Sequence, residues 1–176
     1  LCVGKDGTLL VTASSNIPGA TYTYQWMKDG KAIGNSSMYQ GTTTNVLTIK
    51  GASAGEAGDY TVLITANPGG ASITSSISKV TVNTSPSVTT QPQDVTVCEG
   101  CDINVMMAAD GGNLMYQWKA NGIDVPGATG SSATVPGSMV TTAMNGAKVT
   151  CVTSNGCGTA TTNAATITVN SKPTLS

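Results

Sequence analysis

The chain has 176 residues, with eight lysines against nine acidic residues, no arginine, no histidine and a net charge of −1. That composition excludes a Ser/His/Asp or Cys/His relay and any imidazole metal ligand, and it offers neither the arginine fork nor the basic patch of a nucleic-acid binder. The length admits one large domain or two of about 85 residues each; no apolar run approaches the ~20 residues of a membrane span.

Threonine and serine supply roughly a quarter of the residues and phenylalanine none, which favours extended structure over helices. A hydrophobic fraction of 39% at so low a net charge describes a chain that folds. Strands are expected, in chain order, at residues 8–13, 21–28, 45–50, 59–66 and 72–82, then at 88–97, 103–108, 114–120, 132–135, 147–153 and 161–170. Alternation within each segment and turn residues between them, with no helical period, predict an all-β protein of the sandwich type.

The sequence repeats itself. Tyr24-Gln25-Trp26 recurs as Tyr116-Gln117-Trp118, each followed by a turn dipeptide, Asp29-Gly30 and Asn121-Gly122. Cys2-Val3-Gly4 aligns with Cys98-Glu99-Gly100, and Lys79-Val80-Thr81-Val82-Asn83 with Thr166-Ile167-Thr168-Val169-Asn170. Two homologous domains are expected, over 1–83 and 88–170, joined by a short proline-containing linker at 84–87. Residues 171–176 echo that linker and are expected to begin a further linker or domain. The alignment of Cys2 with Cys98 gives the first copy no counterpart of residues 86–96, so its first strand is expected to be missing, as in a window cut from a longer tandem array.

These residues resemble the immunoglobulin-like fold in the form found in bacterial surface proteins and phage virion proteins. The resemblance rests on Trp26 and Trp118, on Leu47 and Ile49, and on the run Glu56-Ala57-Gly58-Asp59-Tyr60-Thr61-Val62. That run is similar to the family's corner motif, with Tyr60 as the tyrosine whose hydroxyl ties the corner to upstream backbone. The second copy departs from it: Val149 stands where a tyrosine is expected, which implies a looser corner. The segments 90–97 and 163–169 are similar to bacterial copies of the fold. Trp26 and Trp118 are read as core residues, each removing a large apolar surface from water. Tyr22 and Tyr24 share the face of Trp26 by period two; with Tyr39 and Tyr116 they leave only a thin aromatic surface.

Five cysteines leave several readings open. Cys98 and Cys101 form a CxxC that Cys151 and Cys157 could complete as a four-sulfur zinc site. Against this, the strand between Cys151 and Cys157 separates them by roughly 20 Å. The preferred reading is structural disulfides in an oxidising compartment, with free buried thiols as the remaining one. Cys101 with Cys151, Cys98 with Cys157, and Cys2 across a domain junction are the pairings weighed, and the sequence does not choose among them. The carboxylates Asp29, Asp94, Asp102, Asp110 and Asp124 read as turn residues. A calcium site using Asp94 or Asp102 is the alternative.

No cofactor and no catalysis are expected. The resemblance implies a non-catalytic extracellular repeat module acting as stalk and adhesive surface in a longer surface protein, secreted or on the cell surface. Its partners would be neighbouring Ig-like domains of the same chain and a cell-surface protein or glycan, without nucleic acid or membrane insertion. The alternative is a virion component, a capsid decoration or fibre protein binding host surfaces or glycans.

Overall fold

The computed structural model describes residues 1–172, so the expected start of a further segment over 171–176 lies, from 173 onward, outside the described residues. The chain divides into two compact units, Leu1–Thr84 and Ser85–Ser176. Each is a β-sandwich, and no helix among the described residues is long and apolar enough to cross a membrane.

Unit 1 holds β1 (Gly7–Leu10), β2 (Thr21–Lys28), β3 (Lys31–Ala32), β4 (Tyr39–Gln40), β5 (Val46–Ile49), β6 (Gly58–Asn67), β7 (Ser72–Thr74) and β8 (Ser78–Val80). One sheet runs β1-β5-β4; the other runs β3-β2-β6-β7, with β8 also on β6. Alternation decides which side chains meet between the sheets. Leu47 and Ile49 point inward from β5, Tyr60, Val62 and Ile64 from β6, and Trp26 from β2, forming a single buried cluster. The turn between β2 and β3 places Asp29 and Gly30 at φ +50° and +74°, the double left-handed conformation of a tight hairpin.

Unit 2 holds β9 (Ser87–Thr90), β10 (Val95–Cys98), β11 (Ile103–Met106), β12 (Ala108–Asp110), β13 (Met115–Ala120), β14 (Ile123–Asp124), β15 (Ser132–Val135), β16 (Lys148–Asn155), β17 (Gly158–Thr161) and β18 (Ala165–Asn170). β9 pairs antiparallel with β12, while β10 crosses to the other sheet and runs parallel to β18. The expected single strand over 88–97 is thus two strands in two sheets. Pro92, buried between them, has no amide hydrogen to continue a ladder. The last strand is likewise broken, at the same place in both units. Ser75 interrupts 72–82 and Thr162 interrupts 161–170, each turning its hydroxyl to accept a central strand amide, Val62 N–H at 3.1 Å and Cys151 N–H at 2.9 Å.

The register equates the two cores. Trp26 faces Val62 as Trp118 faces Cys151, so Tyr60, Val62 and Ile64 correspond to Val149, Cys151 and Thr153. At the corner where Val149 replaces Tyr60, unit 2 uses other ties: Met144 packs on the core and Asn145 Oδ1 accepts the Val169 amide at 3.1 Å.

Candidate interaction surface

The side chains that could carry chemistry are mostly engaged in holding the sandwiches together. Trp26 and Trp118 are 3% and 1% exposed, and each indole N–H donates to a backbone carbonyl at 2.9 Å, of Thr44 and of Gly130. Beside each indole a glutamine clamps the adjacent hairpin. Gln25 Nε2 donates to the carbonyls of Trp26 and Ile33, and Gln117 Nε2 to those of Trp118 and Val125. This clamp was not anticipated from the sequence, although the repeated Tyr-Gln-Trp triplet is the signal that could have found it.

Tyr60 is fully buried and donates its hydroxyl hydrogen to the Glu56 carbonyl at 2.9 Å, with the Tyr39 hydroxyl 3.2 Å away. Burial first, then the Tyr39 hydrogen bond, pushes the Tyr60 pKa above the ordinary tyrosine range. Glu56 closes a capping box on Ser53, accepting from both its backbone amide and its hydroxyl at 2.7 Å. Those bonds hold the Glu56 carboxyl below the usual carboxylate range. Tyr22, Tyr24 and Tyr116 pack partly buried against the cores.

The turn carboxylates are spread among backbone amides. Asp29 Oδ1 accepts the Asp59 amide at 2.9 Å, Asp102 Oδ1 the Gly137 amide at 2.6 Å, and Asp94 Oδ1 the Thr166 amide at 2.6 Å. Asp124 pairs with Lys119. Asp94 and Asp102 belong to no metal-ligating cluster, since among the described residues no three of Cys, Asp and Glu gather to hold an ion. The same finding leaves the four-sulfur zinc reading without a site.

Disulfides at Cys98, Cys101 and Cys151 are corrected by the structure, in which all three are free thiols. Cys151 is buried in mid-β16, and the inward positions of β11 and the residue after it are held by Ile103, Val105 and Met107. Cys101 precedes them in an exposed turn whose amide bonds back to the Cys98 carbonyl at 3.0 Å. Pairing it with Cys151 would require the strand slide that this register does not make. Burial pushes the Cys151 thiol pKa up. Cys157, which does not pair with the free Cys98, is disulfide-bonded, as is Cys2.

What remains as surface is a seam in unit 1 between β1 with the residues after it and the segment from 71 to 81. Three grooves follow one another along it. One, of about 270 Å³, lies among Leu1, Leu9, Ile49 and Val80. The next, of about 330 Å³, reaches down to Trp26, Tyr60 and Val62 between Val11 and Ile77. The last, of about 520 Å³, is floored by Tyr22, Ile64 and Ala66 and rimmed by Thr12, Ser14, Ser72 and Ser75. Leu9 is shared by the first two, and Val11 and Ser75 by the last two, so they form one continuous furrow.

Solved structures of the same architecture cover nearly the whole chain. The extracellular domains 3–5 of Drosophila OTK match with a TM-score of 0.64 at 15% identity, over 97% of this chain and 58% of that one. The titin I-band fragment I67–I69 matches with a TM-score of 0.61 at 20% identity, over 97% and 61%. The four N-terminal Ig domains of Dscam1 isoform 8.4 match with a TM-score of 0.56 at 18% identity, over 97% and 42%. The chain therefore spans less than two thirds of each of these structures, and at such identities the likeness carries the fold alone. No protein-family model and no curated protein matches the chain. Its architecture is two immunoglobulin-like sandwiches in tandem.

Proposed function

We propose that the chain is a non-catalytic segment of an extracellular surface protein, in which consecutive Ig-like domains serve as stalk and adhesive surface. The observation that carries this reading is the tandem sandwich fold together with disulfide-bonded Cys2 and Cys157, because disulfides persist in oxidising compartments. The reactive side chains support it too: carboxylates and tyrosines are engaged with backbone rather than converging in a cleft. The segments 90–97 and 163–169 favour a bacterial source. The virion reading has no observation that favours it over this one.

The test is surface exposure on the cells that produce the protein. Antibodies against the chain should label intact cells, and external protease should remove the signal. Labelling only after permeabilisation would overturn the proposal. Beads coated with the chain should bind immobilised glycan or a surface protein without turning over either.

A further inference from the structure

We propose that Cys98 and Cys101 form a surface dithiol that closes to a disulfide within its own turn by exchange with a disulfide of another molecule. The two thiols stand at the first and last positions of the four-residue turn that leads from β10 toward β11, and both are free and exposed. Cys101 N–H donates to the Cys98 carbonyl at 3.0 Å and Gly100 lies at φ +81°, the signature of a type II turn. The ends of such a turn lie within about 7 Å of each other at Cα, and a disulfide spans about 4.4–6.8 Å. The backbone therefore sets the reach, and side-chain rotation is what separates the dithiol from the disulfide.

The turn is pinned along its length. Glu99 N–H donates to Asn170 O at 2.9 Å and Gly100 N–H to Val140 O at 3.1 Å. Asp102 Oδ1 accepts the Gly137 amide at 2.6 Å, and Gly137 packs so closely on the turn that a Cβ there would lie 2.2 Å from Gly100 O. Holding both residues in one rigid loop gives each thiol a high effective concentration toward the other. The remaining cysteines do not compete: Cys151 is buried in mid-β16, and Cys2 and Cys157 are already disulfide-bonded.

Unit 1 shows that folding does not ask for the second cysteine. It builds the same turn from Cys2 to Lys5. Lys5 N–H donates to Cys2 O at 3.0 Å and Gly4 N–H to Ala52 O at 2.8 Å, Gly4 lies at φ +75°, and Asp6 Oδ1 accepts the Gly51 amide at 2.9 Å. Lysine stands where unit 2 has Cys101, so the sandwich closes without a thiol at this place. In the exchange, one turn thiolate attacks an outside disulfide, forming a mixed disulfide and releasing one outside thiolate. The other turn thiolate then attacks the turn sulfur of that mixed bond and expels the second outside thiolate. The turn is oxidised by two electrons and gives up two protons, while the outside disulfide is reduced to two thiols. Closure ties the end of β10, an edge strand on β18, to the segment that enters β11 in another sheet.

The experiment treats the chain, with its two reactive turn thiols, with oxidised glutathione and maps the products by mass spectrometry after alkylation. Cell-surface exposure plays no part in it, so its outcome is separate from that of the surface reading. The two thiols should disappear together, the chain should lose the mass of two hydrogen atoms, and reduced glutathione should reverse the change. Cys101→Ser, in a turn that unit 1 builds without this cysteine, should instead keep glutathione on Cys98, at least roughly tenfold more of it than the parent holds. A parent that carries glutathione on both thiols, does not react, links into dimers through these cysteines, or bonds Cys98 to Cys2 or Cys157 would overturn the proposal. The same mapping of the protein as its own cells make it should find Cys98 and Cys101 either both alkylated or joined to each other. Cys98 bonded there to a cysteine of any other segment would equally overturn it.

Discussion

Trp118→Ala isolates what the central indole contributes to unit 2. The side chain is 1% exposed and lies among Ile103, Val105, Met107, Cys151 and Ile167 of one cluster, so its loss leaves a cavity that close neighbours on two sheets fill only in part. Large-to-small changes of this kind cost roughly 3–5 kcal/mol. Deletion also strips the Gly130 carbonyl of its 2.9 Å indole partner, worth about another 1 kcal/mol. A domain of this size has roughly 5–13 kcal/mol to lose, and each kcal/mol lowers the melting temperature by about 4–8 °C. Unit 2 should therefore melt at least roughly 16 °C and up to about 48 °C earlier, so that at the upper end it does not fold at physiological temperature. Hydrogen exchange at the β16 amides reports this directly, while the fluorescence of Trp26 follows unit 1 in the same sample. Trp118→Phe, which keeps most of the buried area and loses the carbonyl bond, should fall between the variant and the parent. An unchanged exchange pattern in β16 for the alanine variant would refute the assignment of this residue as the keystone of the core.

Three further outcomes are expected. Because the Tyr60 pKa is raised, the folded state keeps a proton that the unfolded chain releases above about pH 10. Its contribution to unit 1 is intact below that pH and is lost as pH rises toward the folded value. Tyr60→Phe should flatten the alkaline limb of unit 1 unfolding and cost about 1 kcal/mol at neutral pH, whereas identical limbs would contradict the burial argument. Thiol titration of the native chain should find Cys98 and Cys101 reactive and Cys151 protected; unfolding should raise the count to three, and only reduction to all five. Rapid native labelling of Cys151 would mean that β16 is not in the core. The Thr153 hydroxyl is buried without a hydrogen-bond partner, at the position that Ile64 fills in unit 1, so Thr153→Val should stabilise unit 2 by about 0.5–1 kcal/mol in chemical denaturation. A loss would point to a bridging water.

Much of the fold was legible because its signals are local. Alternation in 45–50 and 59–66, the Asp29-Gly30 and Asn121-Gly122 turns and the paired tryptophans each announce themselves within a few residues. What escaped depends on which segments meet. The segment 88–97 reads as one strand, but that the chain changes sheets around Pro92 is fixed by β12 on one side and β18 on the other. The cysteines show the same limit more sharply. Cys101 with Cys151 was one of several pairings the sequence left open, yet pairing needs opposed inward positions, and the register gives those to aliphatic residues. The Gln25 and Gln117 clamps lay in plain view, but their acceptors Ile33 and Val125 are eight residues away across a hairpin whose pairing had first to be known.

The two units act as controls for one another, and that comparison locates where binding specificity can reside. Features they share, the indole with its carbonyl acceptor, the glutamine clamp, the left-handed hairpin and the hydroxyl at the break in the last strand, are accounted for by the demands of closing a sandwich, so none of them argues for a ligand. Features they do not share carry no such requirement. On the outward row of β1 and β11, Leu10 and Met106 are 67% and 68% exposed, apolar in both units but different in kind, which neither folding nor solubility demands. Leu10→Ser should therefore leave the denaturation midpoint of unit 1 within about 0.5 kcal/mol of the parent, and a larger loss would mean that Leu10 packs in the sandwich rather than lying on its outward row.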